Sequence, residues 1–268
     1  MRFGQTVWAL GLAVLGSGAL AHEFWIDPLE FTVAPNATLE ANIRVGENLR
    51  GASYAYVPRN FKRFEVVMGD TVTEVPGRAG DMPALNMPAP ASGLAVVVHV
   101  TKDYTLTYTE WQKFLNFAEH KDFNEVIDQH RARGLPEVKF EERYSRHAKS
   151  LIAVGDGAGA DREMGLLTEI VALANPYTDD LSDGFPVQVL YEGKPRTDAQ
   201  VEVFERAEDG AVEVRLYRTD AEGVARVEVR PGHSYLTDHV VMRPMEPEAA
   251  DGPVWESLWA SLTFEVPK

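Results

Sequence analysis

Between Pro186 and Val266 the chain repeats one pattern, a short alternating apolar run followed by turn residues, about every ten positions. Ala199-Gln200-Val201-Glu202-Val203-Phe204 alternates and stops at Glu208-Asp209-Gly210. Val212 to Tyr217 stops at Asp220-Ala221-Glu222-Gly223, and Val224 to Val229 stops at Pro231-Gly232. Tyr235 to Met242 and Leu258 to Val266 follow. A period of two places alternate side chains on opposite faces, so these runs are strands with one face buried. Six or seven such strands with regular turns predict an antiparallel β-sandwich over about 185–268. Trp255 and Trp259 are expected in its core.

The region 22–180 reads as β-rich with a helical insert. Ala41 to Val45 alternates, Phe64 to Met68 is rich in β-formers, and Leu94 to Val100 is a buried-strand run. Pro76 to Gly93 is dense in proline and glycine and reads as loop. From Thr109 to Arg133, Trp111, Phe114, Leu115, Phe117 and Ala118 form a helical stripe, with Thr109 as the expected cap and Gly134 and Pro136 as the stop. The fold class is therefore mainly β: an N-terminal β-rich domain with a helical insert plus a C-terminal sandwich, with the boundary near 175–184.

Residues 1–21 read as a secretory signal peptide: Arg2, an apolar run from Val7 to Leu15, and the small-x-small end Ala19-Leu20-Ala21. The run is shorter than the roughly 20 residues that a membrane helix needs. Export to the periplasm, with no direct membrane insertion, is the expectation. With no cysteine, disulfides, thiolate catalysis and Cys-based metal sites are excluded. A net charge of −15 argues against nucleic acid and suits cations.

Cleavage after Ala21 makes His22 the mature N-terminus. Its α-amine and imidazole Nδ1 then close a chelate ring on one metal ion, a histidine brace once another imidazole joins, which suits Cu2+ or Ni2+. His239, in the run Tyr235 to Val241, is the first choice for that further ligand. His99, in the apolar run Ala95 to Val100, is the second choice. His147, between Arg146 and Lys149, is the third. His120, His130 and His233 are expected at the surface. No Gly-x-Ser-x-Gly elbow or phosphate loop is present, so no catalytic residue is assigned and an enzyme is not expected.

Several segments resemble a known family. The expected mature start His22-Glu23-Phe24-Trp25-Ile26, the stretch Tyr144 to Leu151, then Gly165 to Val171 with Asn175-Pro176, are similar to the periplasmic DUF4198 family. Val189 to Pro195, Asp220 to Gly223 and Trp255 to Phe264 are similar to it too. Members are often labelled as periplasmic components of cobalt or nickel uptake. The resemblance implies an immunoglobulin-like or carboxypeptidase-regulatory-like C-terminal module and a role in handling Ni2+, Co2+ or Cu2+. It makes a membrane metal transporter a candidate partner. Two other readings compete: a non-catalytic β-sandwich that docks a protein partner, and a copper oxidase or monooxygenase using the same brace.

Overall fold

The computed structural model describes residues 22–247, 249 and 252–268; the expected signal peptide, 1–21, lies outside them. The chain is mainly β, built on one large sheet with two smaller sheets packed against it. Across the main sheet the strands run Val212–Arg218, Gln200–Arg206, Ser234–Pro244, Trp255–Glu265, Phe140–Val154, Gly93–Thr101, Phe61–Met68 and Thr71–Glu74. Thr32–Val33 and Tyr104–Tyr108 also pair with the long strand Phe140–Val154. Each alternating run from the C-terminal third is a strand, as the period of two requires.

The boundary expected near 175–184 falls between strands, but the main sheet runs across it. Trp255–Glu265 lies parallel to residues 142–150 and antiparallel to Ser234–Pro244, so the C-terminal strands share their sheet with the N-terminal region. Turn spacing reports strand lengths, not partners, and the long strand offered the last one an edge. A second difference is local: Pro76 to Gly93 contains the strand Leu85–Pro88, which pairs with Thr38–Glu47.

The two faces of the main sheet carry different covers. On one face the small sheet of Thr168–Ala172, Phe185–Tyr191, Lys194–Pro195 and Val224–Val227 closes a core around Phe185, Phe264, Leu262 and Val189. On the other face lies the sheet of Glu23–Pro28, Thr38–Glu47, Arg50–Tyr54 and Leu85–Pro88. Its core includes Phe24, Ile26, Leu39, Phe64 and Ile152.

Beside this second cover sits the helical insert, Trp111–His120 and Asn124–Ala132. Phe114, Phe117 and Ala118 are its buried stripe, and they pack with Trp255 and Trp259 of the last strand. Glu110, not Thr109, takes the N-cap position, without a side-chain cap bond.

The first strand stands edge-on over the last. Its Phe24 and Ile26 carbonyls accept hydrogen bonds from the Ser261 and Thr263 hydroxyls, each at 2.8 Å. Those bonds satisfy backbone groups that would otherwise be buried unpaired at a sheet edge. Phe24 and Ile26 look into one core, while Trp25 packs with Leu49, Phe204 and Leu236 in another.

Candidate functional site

Where the helical insert and the first strand meet over the main sheet, they leave a cavity of about 320 Å³. His22 stands at it, with Tyr144, Arg146 and Trp259 from the main sheet and Phe117 from the insert. The sequence dictates this floor. Alternation along the long strand puts Glu142, Tyr144 and Arg146 on the face that carries Trp259, since Arg146 pairs with Trp259 across the ladder.

Three rings surround the Arg146 guanidinium: Trp259 at 4.8 Å, Tyr144 at 5.4 Å and Phe24 at 5.9 Å. Its Nη1 donates to the His22 carbonyl at 2.5 Å. Burial works against its charge, yet no carboxylate of the described residues lies within ion-pair distance of it. The His22 imidazole is about half exposed, with Nε2 3.6 Å from a Glu47 carboxylate oxygen.

Beneath the cavity Glu142 is buried and fully engaged. The Tyr108 hydroxyl donates to Oε2 at 2.7 Å, and the Ser257 hydroxyl donates to Oε1. Trp259 Nε1 in turn donates to Ser257 Oγ at 2.9 Å. Burial raises the Glu142 pKa, and it raises that of Tyr108 too, with the neighbouring carboxylate adding to the effect.

Behind Trp259 lies a second polar group of side chains. Lys121, at the end of the first helix, donates to Glu202 at 2.5 Å and to Asp238 at 3.0 Å, with its ammonium 5.2 Å from the Trp259 ring centroid. Burial opposes the charge on Lys121, but Asp238 and Glu202 outweigh it and hold its pKa above the usual value. His120 reaches the other Glu202 oxygen at 3.1 Å. Glu23 is buried here as well. Burial, and then the charges of Asp238 and Glu202, push its pKa up to about 7. Glu23 Oε2 and Asp238 Oδ1 have no hydrogen-bond partner.

The four histidines singled out from the sequence are not gathered at one point. His22 is at the cavity. His99 is on the same face of the main sheet but sits among Phe24, Phe61 and Phe64, with ring centroids 5.0–5.4 Å away. Burial pushes its pKa down to about 3, and Nδ1 has no partner.

His147 and His239 point to the opposite face. They flank Ala260 in one row, each paired with it across the ladder. Burial lowers both pKa values to about 4. His239 Nδ1 bonds the Gln200 carbonyl at 2.8 Å. The sheet therefore separates His239 and His147 from His22, and neither completes a brace with it. Strand parity, read one run at a time, could not reveal which side of a shared sheet each run presents. Among the described residues no three His, Asp or Glu side chains are grouped to hold a metal ion.

The remaining histidines also differ from expectation. His130 is fully buried, accepting from Trp255 Nε1 at 3.0 Å, and His233 bonds Glu205 at 2.7 Å. His120 is half exposed, as expected, but bonded to Glu202. Sequence reasoning passed over Arg146, Glu142 and Glu23. For Glu142 and Arg146 the available signal was the ionisable set Glu142, Tyr144 and Arg146, spaced by two in a run that ends in the apolar Leu151 to Val154; Glu23 had no such signal.

This geometry defines a mainly β protein with a half-open, aromatic-walled cavity beside its first described residue. The chain belongs to the family described as a domain of unknown function, DUF4198, whose model matches residues 19–242. No curated protein matches it. Among solved structures it is similar to the D0-D1 domain of Intimin, at 13% identity and a TM-score of 0.24, covering 91% of this chain and 97% of that one. A tetra-tandem repeat in the extending region of a large adhesion protein is similar at 10% identity and a TM-score of 0.20, covering 92% of this chain and 50% of that one.

Proposed function

We propose that the mature chain is an exported, non-catalytic protein of the periplasm. It binds one Ni2+, Co2+ or Cu2+ ion through His22 and serves metal uptake or homeostasis, with a membrane metal transporter as its partner. The observation that carries this reading is how His22 is held. Glu23, directly after it, begins a fully buried strand, and Arg146 grips the His22 carbonyl at 2.5 Å. A terminus held in this way presents its amine and Nδ1 in one fixed geometry instead of fraying. The Glu47 carboxylate stands 3.6 Å from Nε2, on the side of the ring away from the proposed ligand atom Nδ1.

The test is calorimetric titration of nickel and copper into three forms of the protein: processed to begin at His22, extended by one Met, and His22→Ala. The processed form binds one ion per chain. Extension converts the amine to an amide and weakens binding by about 10–100-fold or more, a scale set by the loss of a mere outer partner. Affinity falls as the pH drops from 8 to 5, because protons compete for both nitrogens. Equal affinity in all three forms rules the proposal out.

A further inference from the structure

We infer that the cavity beside His22 holds a small, flat organic carboxylate that chelates the same metal ion, its carboxylate resting on the Arg146 guanidinium. This rests on the His22 reading and names the ligand that completes it. A transition-metal ion takes at least about four donors, and the His22 amine and Nδ1 supply two. His99, His147 and His239 are held elsewhere, and Glu142 is committed to Tyr108 and Ser257. Donors for the open positions must then enter from the cavity.

The cavity is shaped for an anion with a flat body. Among the arginines at this level of the fold, Arg143 and Arg243 both pair with Glu256. Arg146 spends one N–H on the His22 carbonyl and has no carboxylate of the described residues within ion-pair distance, with Asp238, Glu23 and Glu142 acting on it from farther off. A guanidinium fixed by aromatic rings, with its fork uncommitted, matches the two oxygens of a carboxylate.

Lys113, at the rim, is already paired with Glu110 at 2.9 Å and is not needed as the anchor. Trp259, Phe117, Tyr108 and Tyr144 give the walls aromatic surface that suits a planar ring. Glu142 beneath has both oxygens occupied by hydroxyl donors, and burial favours its neutral form, which limits repulsion of the anion.

Picolinate is the probe, since it joins a flat ring, one carboxylate and a chelating nitrogen. The processed protein is saturated with nickel and titrated with picolinate by calorimetry, with tryptophan fluorescence reporting on Trp259. One picolinate binds per chain, and nickel stays with the protein on gel filtration. Arg146→Gln, at saturating nickel, weakens picolinate by about tenfold or more, the scale of a lost charge-assisted pair. Leu106→Trp provides a second variant at an exposed rim position. It blocks picolinate while leaving nickel affinity alone and the melting temperature in place.

Picolinate that strips nickel from the protein, or binds both variants as well as the unaltered chain, overturns the inference while leaving the His22 site standing. Nickel that fails to bind the processed protein at all overturns both.

Discussion

Lys149 and Lys121 are both sealed from solvent, at 1% and 3% side-chain exposure, and both face two carboxylates, yet their surroundings differ in kind. On the face away from the cavity, Lys149 meets Asp161 at 2.8 Å, Glu169 at 2.9 Å and the Arg162 carbonyl at 3.1 Å, one acceptor for each ammonium proton. Glu169 is further held by the backbone N–H groups of Met164 and Leu166. At the seam, Lys121 serves Glu202 and Asp238 while Glu23 crowds in, and two buried carboxyl oxygens go unbonded. The first cluster gives its ammonium an acceptor for every proton and leaves one carboxyl oxygen, Asp161 Oδ1, unbonded. The second leaves Glu23 and Asp238 behind Trp259 with raised pKa values, a pair of carboxyls that can take up protons.

Removing each lysine is the strongest way to break this comparison. Lys149→Met leaves Asp161 and Glu169 buried without their cation and should cost about 3–5 kcal/mol in urea unfolding at pH 7. Lys121→Met should cost less, because His120 still bonds Glu202, whereas no second cation pairs with Asp161 or Glu169 among the described residues. The reverse order would refute the contrast.

Acid sharpens it next. His99 titrates at about 3 in the folded chain against a usual 6.5, so the folded state binds fewer protons between these values. Its stabilising contribution is complete above pH 6.5 and is lost as the pH falls towards 3. By linkage, His99→Phe should gain about 2–3 kcal/mol over the unaltered protein at pH 4.5 and almost nothing at pH 8.

Glu23 has the opposite pH signature. Its folded pKa, about 7, lies above the usual 4.5, so the folded state binds the extra proton and loses stability as the pH rises from 4.5 through 7. Glu23→Gln should therefore stabilise by about 3 kcal/mol at pH 8 and leave stability unchanged at pH 4. A gain that is equal at both pH values would show that Glu23 is not the titrating group.

Much of the fold was legible because strand alternation and turn residues are local signals. Val201, Val203, Tyr235 and Phe264 lie in runs that read as strands, and all are buried. Helix and stop were legible from Phe114, Phe117 and Gly134 for the same reason. Pairing was not. Nothing near Trp259 announces that its neighbours will be Arg146 on one side and Val240 on the other, because those contacts depend on which edge is free when the sheet assembles. The site suffered most from this. His22 could be picked out by chemistry alone, whereas Arg146 acquires meaning only once Phe24, Tyr144 and Trp259 enclose it.

The hydroxyls of Ser261 and Thr263 that cap the first strand lie 237 positions along the chain from the carbonyls they bond. A polypeptide made amino-terminus first carries Phe24 and His22 without their support until nearly everything else has followed. Such long-range closure slows folding and prolongs the time in which strand edges lie open. The cavity cannot take its final shape until Trp259 and these hydroxyls are in place. A chain interrupted before Trp255 would hold His22, Glu142, Tyr144 and Arg146 but lack Trp259, the ring on which the Arg146 guanidinium lies.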